Sequence, residues 1–129
     1  MAFAAIVIAT YNRSRQVAAA VRSVLAQSEG DFECWVIDDG STDDSRAALS
    51  AFKDQRLHLV FNEKNRGQHC CRNQAIGLSH APCIAFLDSD DLFLPDRLKR
   101  LRLASEKRPQ VGFWFTNAYI HRYGRIIGT

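Results

Sequence analysis

The run Ile84-Ala85-Phe86-Leu87 stops abruptly at Asp88-Ser89-Asp90-Asp91, and this junction limits the choice of fold more than any other stretch. An unbroken apolar run reads as a strand buried on both faces, whereas Asp is poorly suited to strands. The acids therefore belong where the strand leaves the sheet, which is a ligand position. Three carboxylates within four residues repel one another, raising their proton affinity unless a cation or donor-rich ligand holds them ionised. A hard divalent metal with oxygen ligands is the natural partner.

The rest of the chain repeats this design. Phe3 to Thr10 is an apolar strand candidate, and Tyr11-Asn12-Arg13-Ser14 supplies turn and cap chemistry before a helix. In that helix Val17, Val21, Val24 and Leu25 share one face, with Arg15, Arg22 and Gln27 elsewhere. A second apolar strand, Cys34 to Ile37, ends in Asp38-Asp39-Gly40. Ser41-Thr42-Asp43-Asp44 resembles a capping box, so Asp43 and Asp44 read as helix-start residues and the second helix should run to about Phe52.

Leu57 to Phe61 alternates as a third strand, and Asn62 to Gly67 is a polar loop. A third helix is expected from Gln68 to Ser79, with Cys71, Ala75 and Ile76 inward, stopped by Ala81-Pro82 before the strand Cys83 to Leu87. A fourth should begin at Pro95 and reach Lys107, with Asp96 as a first-turn acid. Val111 to Asn117 and Ala118 to Arg122 look strand-like, with a turn at Tyr123-Gly124-Arg125. Alternating strands and helices predict an α/β, doubly wound, mostly parallel sheet. Ligands of such sheets bind beyond the carboxyl ends of the strands, near the topological switch point. Thr10-Tyr11-Asn12, Asp38-Asp39 and Asp88 to Asp91 all fall at such ends.

Length and composition close off alternatives. A chain of 129 residues accommodates one domain with a real core, and 47% hydrophobic with 24% charged content argues against disorder. The net charge of +3 arises mainly from Arg97 to Arg108, which reads as a solvated helix face, so no nucleic-acid partner is expected. Cys34, Cys70, Cys71 and Cys83 lack CxxC spacing and read as reduced, mostly buried thiols. His58, His69, His80 and His121 lack ligand spacing and read as surface or satisfied core. Met1 to Ala9 has no basic start and is too short to span a bilayer, so the default expectation is a cytoplasmic protein, with the cytoplasmic membrane face as a second location.

Brought to one edge, the clusters have complementary chemistry. Tyr11 offers a flat face for a base, and a carboxylate after the second strand can accept from a base N–H or a ribose hydroxyl. The acids after the fourth can hold a metal bridging phosphates and stabilising a departing diphosphate. Arg66 and Arg72 flank a loop and helix start suited to phosphate or base oxygens.

Ile6-Val-Ile-Ala-Thr-Tyr-Asn-Arg-Ser14, Val36-Ile-Asp-Asp-Gly-Ser-Thr-Asp43, Asn65-Arg-Gly67 with Arg72-Asn73, and Leu87-Asp-Ser-Asp-Asp91 through Pro95-Asp96-Arg97-Leu98 together resemble the inverting family 2 glycosyltransferases of GT-A fold. The resemblance covers Ile6 to Leu98 and corresponds to the donor-binding half of such enzymes. It implies a Rossmann-like sheet truncated at the acceptor side, with residues 1–129 forming a single nucleotide-sugar-binding domain of a longer catalytic domain. It also implies that Thr10 or Ala9 contacts the base through backbone, that Tyr11 packs on it, and that Asp39 binds uracil with Asp38 as support or ribose contact. Arg72 approaches the nucleotide, and Asp88 and Ser89 lie near ribose and phosphate. Asp90 is the expected ligand of Mn2+ or Mg2+, with Asp88 a second candidate.

The implied donor is a nucleotide sugar, most simply a UDP-sugar. The acceptor class, whether glycan, lipid-linked sugar or protein, is open. The family's general base is a carboxylate expected beyond Thr129, because nothing between Gln110 and Thr129 replaces it. A nucleotide-binding module without transfer activity is thus the alternative, and exposed apolar surface at the truncated edge predicts self-association. The Asp-x-Asp after a strand also resembles haloacid-dehalogenase-type phosphatases, but those need a downstream lysine and acid pair that is not evident.

Overall fold

The structure, a computed structural model, describes residues 1–128. Strands β1 (Ala4–Thr10), β2 (Phe32–Asp38), β3 (Leu57–Phe61) and β4 (Cys83–Phe86) alternate with helices α1 (Ser14–Leu25), α2 (Ser45–Ser50) and α3 (Gln68–Leu78). Helix α4 (Arg97–Lys107) and a hairpin of β5 (Ile120–Arg122) and β6 (Arg125–Gly128) follow. The main sheet is parallel throughout, in the order β3-β2-β1-β4. The α/β, doubly wound expectation is met, and β5-β6 forms a separate antiparallel pair.

Period-two side-chain alternation explains how β1 can be apolar at nearly every position. Ile6 and Ile8 point to a core shared with Phe32, Cys34 and Val36 of β2, Val17, Val21 and Val24 of α1, Leu49 of α2 and Leu98 of α4. Val7 and Ala9 point the other way, with Ile37, onto Cys71 and Ala75 of α3. All seven β1 residues are buried as a result. Register is strongly specified, since a one-residue slip of β1 would exchange its two sets of neighbours.

The chain lays down β1, β2 and β3 outward, then returns to the far side of β1 for β4. This reversal creates a switch point between β1 and β4, the kind of position at which such sheets bind ligands.

Several sequence expectations need correction. Strand β4 is not buried on both faces: it lies at the sheet edge, Phe86 is 48% exposed, and only Ala85 within it is buried. An apolar run cannot distinguish a central strand from an edge that presents hydrophobic surface. Helix α2 begins at Ser45 without the proposed capping box, because Asp43 instead accepts N–H bonds from Ser45 and, across the loops, from Ser14. Ile76 is 40% exposed, leaving Cys71 and Ala75 as the inward face of α3. Helix α4 starts at Arg97, so Pro95 precedes it rather than opening it. Val111 to Asn117 forms no strand, whereas the turn at Tyr123-Gly124 does close a hairpin. Of the four free cysteines, Cys34 and Cys71 are buried, but Cys70 is exposed.

Candidate functional site

Loops leaving β1, β2 and β4 meet at the carboxyl edge of the sheet. After β1 the backbone turns through Asn12 at φ 49°, a left-handed conformation that Asn tolerates better than most residues. The Asn12 N–H donates to Ser41 Oγ at 2.9 Å, and Asn12 Oδ1 accepts the N–H groups of Thr42 and Asp43 at 2.7 and 3.2 Å. The Ser14 N–H donates to Asp43 Oδ2 at 3.2 Å. The first two loops are thus knitted together before any ligand is considered.

Asp38 is 1% exposed, and its Oδ1 accepts the Ser41 N–H at 2.8 Å. Its Oδ2 has no hydrogen-bond partner among the described residues, and neither do the buried hydroxyls of Thr10 and Ser45. Asp38 thus holds the start of the second loop through one oxygen and leaves the other unpartnered among the described residues. Asp39 is 3% exposed, accepting the Arg66 N–H on Oδ1 at 2.9 Å and the Gly67 N–H on Oδ2 at 2.8 Å. Burial pushes its carboxyl up, but the N–H groups of Arg66 and Gly67 and the side chains of Cys71 and Asn62 outweigh it and hold the pKa below the usual value. Asp39 therefore fixes the loop that leads into α3, a function not legible from its position in the sequence.

The second and third loops each require a glycine with positive φ. Gly40 has φ 79°, and a Cβ there would lie 3.0 Å from the Lys64 carbonyl carbon, so the second and third loops pack backbone to backbone. Gly67, at φ 93°, occupies the N-cap position of α3.

From α3, Arg72 reaches the acids after β4, with Nη2 2.7 Å from Asp88 Oδ1, and its guanidinium lies 5.3 Å from the centre of the Phe86 ring. Gln68 Nε2 donates to the same Asp88 oxygen at 3.4 Å. Across the switch point, Arg13 Nη1 lies 2.7 Å from Asp90 Oδ2. Ser89 is buried, Tyr11 is 45% exposed, and Thr10 is buried with its carbonyl accepting the Asp39 N–H at 2.9 Å. The Asp91 carboxyl is pushed up first by burial, then by the charges of Asp90 and Asp88. The structure thus brings Arg72 and Asp88 into contact and gathers Thr10, Asp38 and Asp39 around the adjoining loops.

Two further contributors had no sequence signal strong enough to reveal them. In the sequence Arg13 shows only turn chemistry, yet it pairs with Asp90. Gln27, placed by the helical pattern away from the apolar face, is 7% exposed. Its Nε2 donates to the Leu94 carbonyl at 2.8 Å, and its Oε1 accepts the Leu98 N–H at 3.0 Å. It thereby fixes the segment between the acids and α4 against α1. Asp96, at the N-cap position of α4, accepts the Ser28 hydroxyl at 2.7 Å, a structural use.

Among the described residues, no group of three or more His, Cys, Asp or Glu side chains converges closely enough to hold a metal ion alone. The available donors are hard carboxylate oxygens, few in number. This set suits Mg2+ or Mn2+, ions commonly held by one or two carboxylates together with substrate phosphate oxygens and water. Elsewhere, a cavity of about 540 Å³ is lined by residues that include Phe32, Glu33, Asp54, Arg56 and His58, beyond the opposite ends of the strands. Its charged groups serve the fold: Arg56 is paired to Asp54 at 2.8 Å, Glu33 bonds to Ser79, and His58 stacks on Trp35 with ring centres 4.4 Å apart.

The family model for glycosyl transferase family 2 matches residues 5–124, spanning the sheet, the knitted loops and the acids. The chain belongs to this family. It is 48% identical over 98 residues to the succinoglycan biosynthesis protein ExoU of Rhizobium meliloti strain 1021, a match covering 74% of this chain and 28% of ExoU. It is 32% identical over 123 residues to WfgD of Escherichia coli, a UDP-Glc:alpha-D-GlcNAc-diphosphoundecaprenol beta-1,3-glucosyltransferase, covering 95% of this chain and 48% of that protein. The solved structure of S. aureus TarS 1-349 in complex with UDP superposes with a TM-score of 0.78 at 25% identity, covering 84% of this chain and 33% of the TarS 1-349 chain. The fold is therefore GT-A, as the resemblance implied. The chain spans less than half the length of each of these relatives.

Proposed function

We propose that this family 2 chain is the donor-binding domain of an inverting glycosyltransferase that takes a nucleotide sugar, a UDP-sugar, with Mn2+ or Mg2+. The observation that carries the reading is the convergence at the β1/β4 switch point of an open tyrosine face, an anchored Asp39 loop, and the Arg72 and Arg13 cations beside Asp88 and Asp90. In this reading residues 1–129 act as one donor domain within a longer catalytic unit.

Tyr11 offers its ring to the base, and Asp39 binds uracil. Asp38 holds the loop beneath, or meets the ribose, while Thr10 contributes backbone. Arg72 approaches the nucleotide phosphates beside Asp88 and Ser89. Asp90, with Asp88 as second candidate, would hold the divalent ion, whose chemistry is to neutralise charge on the departing diphosphate. The UDP complex of TarS and the UDP-glucose donor of WfgD support the choice of nucleotide. An undecaprenol-linked acceptor of the kind named for WfgD, and action at the cytoplasmic face of a membrane, belong to the same proposal. Among the described residues, no helix is long and apolar enough to cross a membrane.

The test is calorimetry with UDP in the presence and absence of Mn2+. Binding should require the metal and be lost in Asp90→Ala, and metal-independent binding undiminished by that substitution would overturn the assignment. A second reading has its own support: no Asp or Glu follows Glu106, so no carboxylate in the last stretch can take the acceptor proton. On that reading the purified chain binds UDP without transferring sugar, and robust turnover with donor and acceptor would refute it. The exposed Phe86 edge, with Phe113 and Phe115 at 78% and 82% exposure, supports self-association of the chain. A monomer mass independent of concentration in sedimentation would exclude this association.

A further inference from the structure

Arg13 is the first residue after the left-handed turn at Asn12, and its backbone has little freedom. Its carbonyl accepts the Val17 N–H at 2.8 Å, Asn12 before it accepts from Thr42 and Asp43, and Ser14 after it donates to Asp43. The side chain, by contrast, is 47% exposed and extends across the switch point to Asp90, itself 51% exposed. A rigid root thus carries a half-exposed charge. The Asp88 carboxylate has its own guanidinium partner in Arg72, so these two acids are each matched to one arginine from a different element.

A guanidinium is always charged and cannot ligate a metal. A divalent cation arriving at the Asp90 carboxylate therefore competes directly with Arg13 for the same oxygens. A nucleoside diphosphate changes the balance, because its anionic oxygens offer the displaced guanidinium a bidentate partner at least as good as a carboxylate.

We propose that Arg13 is a counter-ion that exchanges partners, from Asp90 to the donor diphosphate, so that divalent cation and nucleoside diphosphate bind this chain as a coupled pair. The inference rests on the donor-site reading above and assigns to Arg13 a positioning and ordering role within it. The exchange is energetically accessible because half-exposed ion pairs are weak, changing a competing equilibrium by roughly two- to fivefold. The same weakness makes Arg13 expendable for folding, so its substitution reports on binding.

The experiment is a titration of the full chain with Mn2+ alone, followed by free-Mn2+ paramagnetic resonance, and calorimetry with UDP at saturating Mn2+. Arg13→Gln should bind Mn2+ alone roughly two- to fivefold more tightly, since the competitor is gone, while UDP affinity at saturating Mn2+ falls by about the same factor or more. The coupling between the two ligands, which by linkage is the same measured from either side, should shrink accordingly. Arg13→Lys, which keeps the charge but loses the fork, should recover the weak Mn2+ affinity and only part of the UDP affinity. Both shifts are required, and Arg13→Gln leaving either affinity unchanged overturns the exchange. Asp90→Asn separates the two claims. If it leaves Mn2+-dependent UDP binding intact, the donor-site reading itself fails; if it abolishes that binding while Arg13→Gln behaves as wild type, only the exchange fails.

Discussion

Asp39→Asn tests whether this buried carboxylate is first of all a backbone anchor. The native side chain accepts two N–H bonds at 2.9 and 2.8 Å, from Arg66 and Gly67, in a site only 3% exposed. The amide retains one acceptor oxygen, so one of the two N–H groups then faces an NH2 group and is left unsatisfied. Losing one charge-assisted bond and orphaning a buried donor costs about 2–4 kcal/mol. For a domain of this size, that corresponds to a fall in Tm of roughly 6–18 °C. Thermal denaturation measures the total, and amide hydrogen exchange at Arg66 and Gly67 localises it, with both amides losing protection.

The sign of the pH dependence provides a second check. The folded-state carboxyl is held below its usual value, so its contribution is present above the ordinary carboxylate pKa and is lost as pH falls through the folded value. Wild type and variant should therefore converge in stability as the solution is acidified below about pH 4. A loss under about 0.5 kcal/mol at neutral pH, with exchange at both amides unchanged, would refute the anchor.

Three further outcomes follow from the packing and charges. Gly40→Ala should destabilise the chain by about 2–4 kcal/mol, because φ is 79° and the new methyl would press on the Lys64 and Asn65 backbone; chemical denaturation measures it. Leu98→Ala, at a fully buried position joining α4 to the α1 face of the sheet, should cost about 2–5 kcal/mol in the same assay. The Arg56 side chain, with the Arg56 N–H beside it, lowers the Asp54 carboxyl to about 2, so this pairing contributes about 1 kcal/mol after screening, present above the ordinary carboxylate range and lost as pH falls from about 4 toward 2. Arg56→Ala, which keeps the backbone N–H bond, should shrink that acid-dependent part of the stability curve, and an unchanged curve would count against the side-chain pairing.

Particular residues show what the sequence could and could not convey. The apolar runs ending in polar clusters specified the parallel sheet and the edge where the site lies, because strand burial and side-chain period are local properties. The acids after β4 were legible for the same reason. The partners of those acids were not. Arg13 and Asp90 meet only because the chain reverses direction between β3 and β4, and no local pattern encodes that proximity. Gln27 carries no such signal because a lone polar residue at a helix end looks solvated until the chain returning through Leu94 to Leu98 covers it. The edge position of β4 escaped notice for a related reason, since hydrophobicity reports burial and an edge strand can carry the same residues.

The strand order also has a bearing on how the molecule is made. Strand β1 pairs with β2 and, from Ala4 to Cys83, with β4, so one flank of the central strand waits for a segment far along the chain. During vectorial synthesis the β1-α1-β2-α2-β3 unit can assemble first, since its strands are joined by shorter crossovers and closing a distant loop costs more entropy. The β1 edge that will receive β4 is then temporarily open, an exposed apolar template of the kind that invites misassociation. Asp88 and Asp90 reach Arg72 and Arg13 only when that edge is closed. The carboxylates proposed to hold the metal are thus delivered only when β4 joins the sheet, and a nascent chain lacks this ligand site until its central strand is covered on both sides.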